Sequence, residues 1–188
     1  MDAAGALAHT PSVIVAGGPV TEDGVTLYLL SVTVHVLAAL LWLGGMFFLG
    51  AVGAPVLRRV EPPELRAQLF HQLGVQFRRV GWVAIGVLVA SGLTTLHLRG
   101  LLRWEVMGDP GFWTSPYGST LAWKLVLVAT MVGVSAVHDF WLGPRAGELD
   151  PSSEAAGRFR RWAAWLARVN ALLGLVLVWV AVRLARGG

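Results

Sequence analysis

The chain has 188 residues, of which 55% are hydrophobic and only 14% charged, against about 25% charged in soluble domains. That balance excludes an ordinary soluble enzyme and describes an integral membrane protein. The absence of cysteine rules out disulfides, thiolate metal sites, cysteine nucleophiles and c-type haem attachment, and the net charge of +4 comes from arginines grouped between apolar runs, a pattern of lipid headgroup contact and not of nucleic-acid binding.

Residues 1–24, rich in Gly, Ala and Pro, have neither a basic n-region nor a clean apolar h-region, so they read as an exposed extension and not as a cleaved signal peptide. The rest, residues 25–186, reads as one transmembrane domain without an internal linker. Four runs in it, Val25 to Leu57, Val80 to Leu98, Thr120 to Leu142 and Trp162 to Leu184, are long enough to cross a hydrocarbon core, which needs about 20 apolar residues. Each is expected to be a helix, because lipid offers no partner to an open backbone. The predicted fold is an all-α integral membrane four-helix bundle.

The connections set its orientation. The first carries Arg58, Arg59, Arg66, Arg78 and Arg79 and the third Arg145, Arg158, Arg160 and Arg161, while the opposite side has Arg99, Arg103, Arg183 and Arg186. The positive-inside rule then makes the first and third loops cytoplasmic and puts both termini outside, as in a multi-pass protein of a bacterial-type cytoplasmic membrane. Trp82, Trp141, Trp162 and Trp165 fall near one boundary and Trp104, Trp113, Trp123 and Trp179 near the other, forming two aromatic belts. Within the first loop, "EPPELRAQLFHQLGVQFRR" (61–79) opens on prolines and places Leu65, Leu69, Leu73 and Phe77 at steps of four. It is predicted to be a short amphipathic interfacial helix. The loop 103–119, with Trp104, Phe112, Trp113 and Tyr117 among turn residues, is expected to fold over the outer mouth as a lid.

Ionisable residues inside such helices are rare and read as functional by default. Here they are His35, His97, Lys124, His138, Asp139 and Arg168. His35 shares a helix face with Ala39, Trp42 and Met46, and Gly44, Gly45, Gly50 and Ala54 extend a small-residue surface for close approach. The second helix offers Gly86, Ala90 and Thr94 before His97, and the third aligns Lys124, Met131, Ser135 and His138 on one stripe. Depth along the helices suggests an outer cluster of His35, His97 and Lys124 and a weaker inner one of His71, His138 and Asp139.

Neutral imidazole is a common metal ligand and haem axial ligand. A buried lysine readily loses its proton and ligates iron, or stays charged and pairs with a propionate. Without thiolates and with few methionines a bare metal site is less well supported, although His35, His97, Lys124 and His138 are its candidate ligands. Each group also has a plainer role: His35 bonded to a neighbouring helix, Lys124 snorkelling to the headgroups, His97 solvated at the interface, His138 and Asp139 closing a helix end, Arg168 pairing with a carboxylate, carbonyl or propionate, and Trp42 packing in the core. No nucleotide-binding glycine loop, zincin motif or nucleophile elbow is present.

The segments "HVLAALLWLGGMFF", "GWVAIGVLVASGLTTL" and "LAWKLVLVATMVGVSAVHDFWLGPR" resemble the copper-resistance protein D (CopD) family and its relative, the HemJ-type protoporphyrinogen oxidases. The likeness spans roughly residues 28–145 and, more weakly, the last helix. The HemJ resemblance implies haem b held by His35 and Lys124; the residues themselves add His97 as the second ligand if Lys124 is not one, Arg168 as a propionate partner and Trp42 beside the cofactor. The function implied is electron transfer, or oxidation of a porphyrin-like or other hydrophobic substrate, by a membrane oxidoreductase. Its expected partners are lipid, a redox protein or a quinone or porphyrin, and a second copy of the chain. The CopD resemblance implies copper handling instead, with His35, Met46, Met131 and His97 along the ion's path. A structural subunit with no cofactor is the third reading. The long outer loop, His97 and the HDFWLGPR ending of the third helix differ from the HemJ-type pattern.

Overall fold

The computed structural model describes residues 22–149 and 153–188; the expected extension, apart from its last three residues, lies outside them. Four long helices run through the described residues: α1 (Glu22–Leu57), α2 (Pro63–Leu98), α3 (Pro116–Arg145) and α4 (Glu154–Ala185), each long and apolar enough to cross a membrane. No strand occurs among the described residues, so the protein is the all-α four-helix membrane bundle that its apolar runs predict. Large apolar side chains cover its outside. Leu40 and Leu172, for instance, are each 63% exposed, a surface that suits hydrocarbon and would aggregate in water.

Every helix starts earlier than its apolar run. α1 and α2 have 36 residues each, about 54 Å at 1.5 Å per residue against a hydrocarbon thickness of about 30 Å. The polar turns continue the helix because backbone hydrogen bonding does not stop at the apolar boundary. Prolines, Ser115 and Ser153 mark the starts. Ser115 accepts a hydrogen bond from the Gly118 amide and Ser153 one from that of Ala156, satisfying first-turn donors.

This continuity corrects one expectation. Residues 63–79 are helical, but they form the first half of α2 and not a separate interfacial helix in the first loop. No proline or cap interrupts the chain between Arg79 and Trp82, and Phe77 holds the segment against α1. A Cβ on Gly45 would run into the Phe77 ring, so the helices touch there only because Gly45 has no side chain. Gly45→Val is therefore expected to destabilise the protein by about 1–3 kcal/mol, read as a lower thermal midpoint in detergent that Phe77→Ala in the same chain largely restores.

Both first helices of the two hairpins carry a π turn near one end of the bundle, Leu49–Gly53 in α1 and Val137–Leu142 in α3. Each lies just before a proline, Pro55 and Pro144, whose missing N–H breaks the i→i−4 ladder and lets the helix widen by a residue. α1 packs mainly on α2 and α3 mainly on α4, while the hairpins touch more sparsely, chiefly through α1 and α4. Where they meet, Trp42, Leu43, Ala84, Ile85 and the fully buried Met131 form the core. Glu22, Arg99, Pro116 and Gly188 share one end of the bundle, here the Arg99 end; Leu57, Asp139 and Glu154 belong to the other, the Asp139 end.

Candidate functional site

At the Arg99 end, the seam between α1 and α2 is a ladder of small polar side chains. Ser31 Oγ and Thr95 Oγ1 both donate to the Ser91 carbonyl at 2.9 Å, and His35 Nδ1 lies 3.0 Å from Ser91 Oγ. The Ser91 hydroxyl lies 2.6 Å from the Val87 carbonyl, to which it donates, and this leaves its oxygen to accept from an Nδ1–H. In that tautomer Nε2 keeps its lone pair, the form that binds a metal. The imidazole also rests on bare backbone: a Cβ at Gly92 would sit 3.3 Å from His35 Cε1.

Lys124 of α3 lies within electrostatic reach of both His35 and Arg99. Arg99 Nη1 donates to the Tyr117 hydroxyl at 2.8 Å, and its guanidinium lies 5.7 Å and 5.6 Å from the Tyr28 and Tyr117 ring centres, distances of cation–π contact. One guanidinium thus ties α1, α2 and α3 together. Among the described residues neither Lys124 nor Arg99 forms an ion pair with a carboxylate. The site joins an imidazole nitrogen to Lys124, with the Arg99 guanidinium beyond the lysine, suited to a metal centre that carries anionic groups.

The loop expected as a lid folds into two short helical turns, Trp104–Met107 and Pro110–Thr114. Trp113 Nε1 donates to the Met107 carbonyl at 2.9 Å, and Asp109 accepts from the Gly111 amide at 2.9 Å. Tyr117 then anchors the loop's end on Arg99.

His97, expected beside His35, is placed away from it, while His138 lies with Asp139 as the inner cluster predicts. His97 is exposed, because six residues beyond Ser91 turn the helix roughly 120° away from the seam. His138 lies 14 residues from Lys124, about 21 Å along the axis, and pairs with Asp139 at 2.8 Å. Arg168 is exposed and lines a cavity at the Asp139 end. The four-residue metal set His35, His97, Lys124 and His138 is therefore not assembled, and among the described residues no group of three or more His, Cys, Asp or Glu is placed to hold a metal. Trp42, 4% exposed, packs in the core between His35 and that cavity, with its indole Cδ1 3.6 Å from the Cβ position of Gly81.

The cavity has a volume of about 700 Å³ and is lined from all four helices, by Trp42, Met46, Phe77, Trp82, His138 and Asn170 among others. Trp82 Nε1 donates to Asp139 Oδ2 at 3.0 Å, and Arg78 donates to the Asp139 main-chain oxygen at 3.1 Å. Asn170 Nδ2 donates to Ser135 Oγ at 3.0 Å. Sequence reasoning passed over Asn170, Ser31, Ser91 and Arg99. A search for ionisable groups omits the amide and hydroxyls, although an asparagine within an apolar run is itself a signal, and Arg99 was counted only for orientation.

The fold and these two sites define a multi-pass membrane protein with a histidine–lysine cluster at one end and a ligand-sized cavity toward the other. Residues 71–184 match the family described as Copper resistance protein D, and the chain belongs to that family. The match includes Lys124, while His35 lies before its first residue. A protein of Aquifex aeolicus (strain VF5), described as an uncharacterized protein, is 31% identical over 154 residues, covering 81% of this chain and 92% of the relative. No solved structure matches the chain.

Proposed function

We propose that the protein binds haem b, which His35 Nε2 would hold, with Lys124 either as a further ligand or, beside Arg99, as a partner of the propionates. The carrying observation is the His35–Ser91–Val87 relay: it spends the Nδ1 proton inside the helix pair and leaves Nε2 for a metal. The donor set fits the group, since it joins one imidazole to an amine and a guanidinium that have no carboxylate partner among the described residues. When bound, haem supplies one-electron chemistry at its iron; the chain orients the ring nitrogen, neutralises the carboxylates and excludes water. The reading extends to electron transfer or oxidation of a porphyrin-like or other hydrophobic substrate, with a redox protein or quinone as partner and a second copy of the chain in an oligomer. The purified protein is expected to show a Soret band.

Copper handling is the second reading, favoured by the name of the family. Its path of His35, Met46, Met131 and His97 is less coherent, because Met131 is fully buried in the core and His97 is exposed. Colourless protein that retains copper in fixed proportion would establish this reading over haem.

We also place the protein in a bacterial-type cytoplasmic membrane, with both termini outside and the arginines of the first and third loops inside. The chain has no cysteine, so single cysteines report topology directly. Asp109→Cys is expected to react with a membrane-impermeant maleimide on intact cells and Glu64→Cys only after lysis; the reverse pattern inverts the orientation.

A further inference from the structure

The cavity at the Asp139 end is lined by neither His35 nor Lys124, and its lining is more than packed apolar surface. Three guanidiniums, those of Arg58, Arg78 and Arg168, join its apolar and aromatic walls. Among the described residues none of them forms an ion pair, and Arg58 and Arg168 are exposed. Among the described residues Asp139 is the only carboxylate in the lining, and its oxygens already serve His138 and Trp82. Arg78 reaches only the main-chain oxygen of that aspartate. The cavity therefore holds more positive than negative charge beside an apolar space, an arrangement complementary to an organic anion.

A second observation concerns Asn170. It is 4% exposed and lines the same cavity. Its Nδ2 is bonded to Ser135, while its Oδ1 has no hydrogen-bond partner. A buried acceptor left unpaired is costly, and a donor supplied by a ligand removes that cost.

We propose that this cavity binds a compact organic anion. The ligand would lay an apolar ring body against Trp42 and Phe77, present a carboxylate or similar group to Arg58 and Arg168, and donate an N–H or O–H to Asn170 Oδ1. The volume of about 700 Å³ lies inside the range of about 300–1,000 Å³ typical of small-molecule sites. The site is separate from His35 and stands whether or not haem is bound there.

The test uses the full chain in phosphatidylcholine nanodiscs, titrated with N-dansylglycine, which combines an aromatic body, a sulfonamide N–H and a carboxylate. Saturable, blue-shifted fluorescence is expected. Dansylamide, which lacks the carboxylate, and N-dansylsarcosine, whose nitrogen is methylated, are each expected to bind about tenfold more weakly. Arg168→Gln is expected to weaken N-dansylglycine by a similar factor, and Arg103→Gln, at the other end of the bundle, to leave it unchanged. Phosphatidylglycerol added to the disc should displace the probe if the resident anion is a lipid and leave it bound if the ligand is a soluble acid. Absence of saturable binding, or equal binding of dansylamide, overturns the proposal. Equal binding of N-dansylsarcosine removes Asn170 from it, and this arm is read on the unsubstituted chain.

Discussion

His35→Ala is expected to abolish the Soret band of the purified protein while leaving its helix content intact. Loss of an outer hydrogen-bond partner alone costs roughly 10- to 100-fold in metal affinity, and loss of the ligating nitrogen costs more. Helix content should survive, because the Ser31, Thr95 and Ser91 hydrogen bonds remain to hold the α1–α2 seam. Ser91→Ala provides the graded control. It removes the acceptor of Nδ1–H, frees the imidazole to rotate or change tautomer, and is expected to weaken haem retention about tenfold without removing the band. A His35→Ala protein with an unchanged Soret band would end the haem assignment.

The largest expected loss of stability comes from Trp42→Ala. Trp42 is 4% exposed and packs with Leu43, Ala84, Ile85 and Met131 where the hairpins meet. Truncating a buried aromatic residue to alanine costs about 3–5 kcal/mol. Lipid tails are as apolar as the core, so the loss here is one of contacts and not of escape from water, which favours the lower figure of about 3 kcal/mol. The indole also borders the cavity, and its removal enlarges an existing space that the helices cannot easily close. Thermal unfolding in detergent reads the effect, and Trp42→Phe should keep more than half of the lost stability. An unaltered midpoint for the alanine variant would show that the hairpins do not depend on this contact.

The helices themselves were legible, since long apolar runs allow little else in lipid. Their ends were not: hydropathy falls at Val80, but the hydrogen-bond ladder of α2 begins at Pro63. The face that joins His35, Trp42 and Met46 was readable from spacing. Partners across helices were not, because a position along a helix gives depth and not neighbours. The stripe on α3 shows both sides of this: Met131 faces the core, and Ser135 and His138 line one cavity, as the spacing predicts, but that Ser135 meets Asn170 of α4 lies outside what spacing along one helix can give.

The pairing of helices also divides the site between two units. His35 and Ser91 both belong to the first hairpin, so the groups that set the posture of the imidazole lie within one unit. Lys124 belongs to the second hairpin, which meets the first more sparsely than the helices of each hairpin meet one another. A cofactor held between His35 and Lys124 would thus be a clasp across the two. It would draw together two units that otherwise meet along a narrow seam, and the loaded protein should resist their separation by an amount set by the affinity and supply of what it binds.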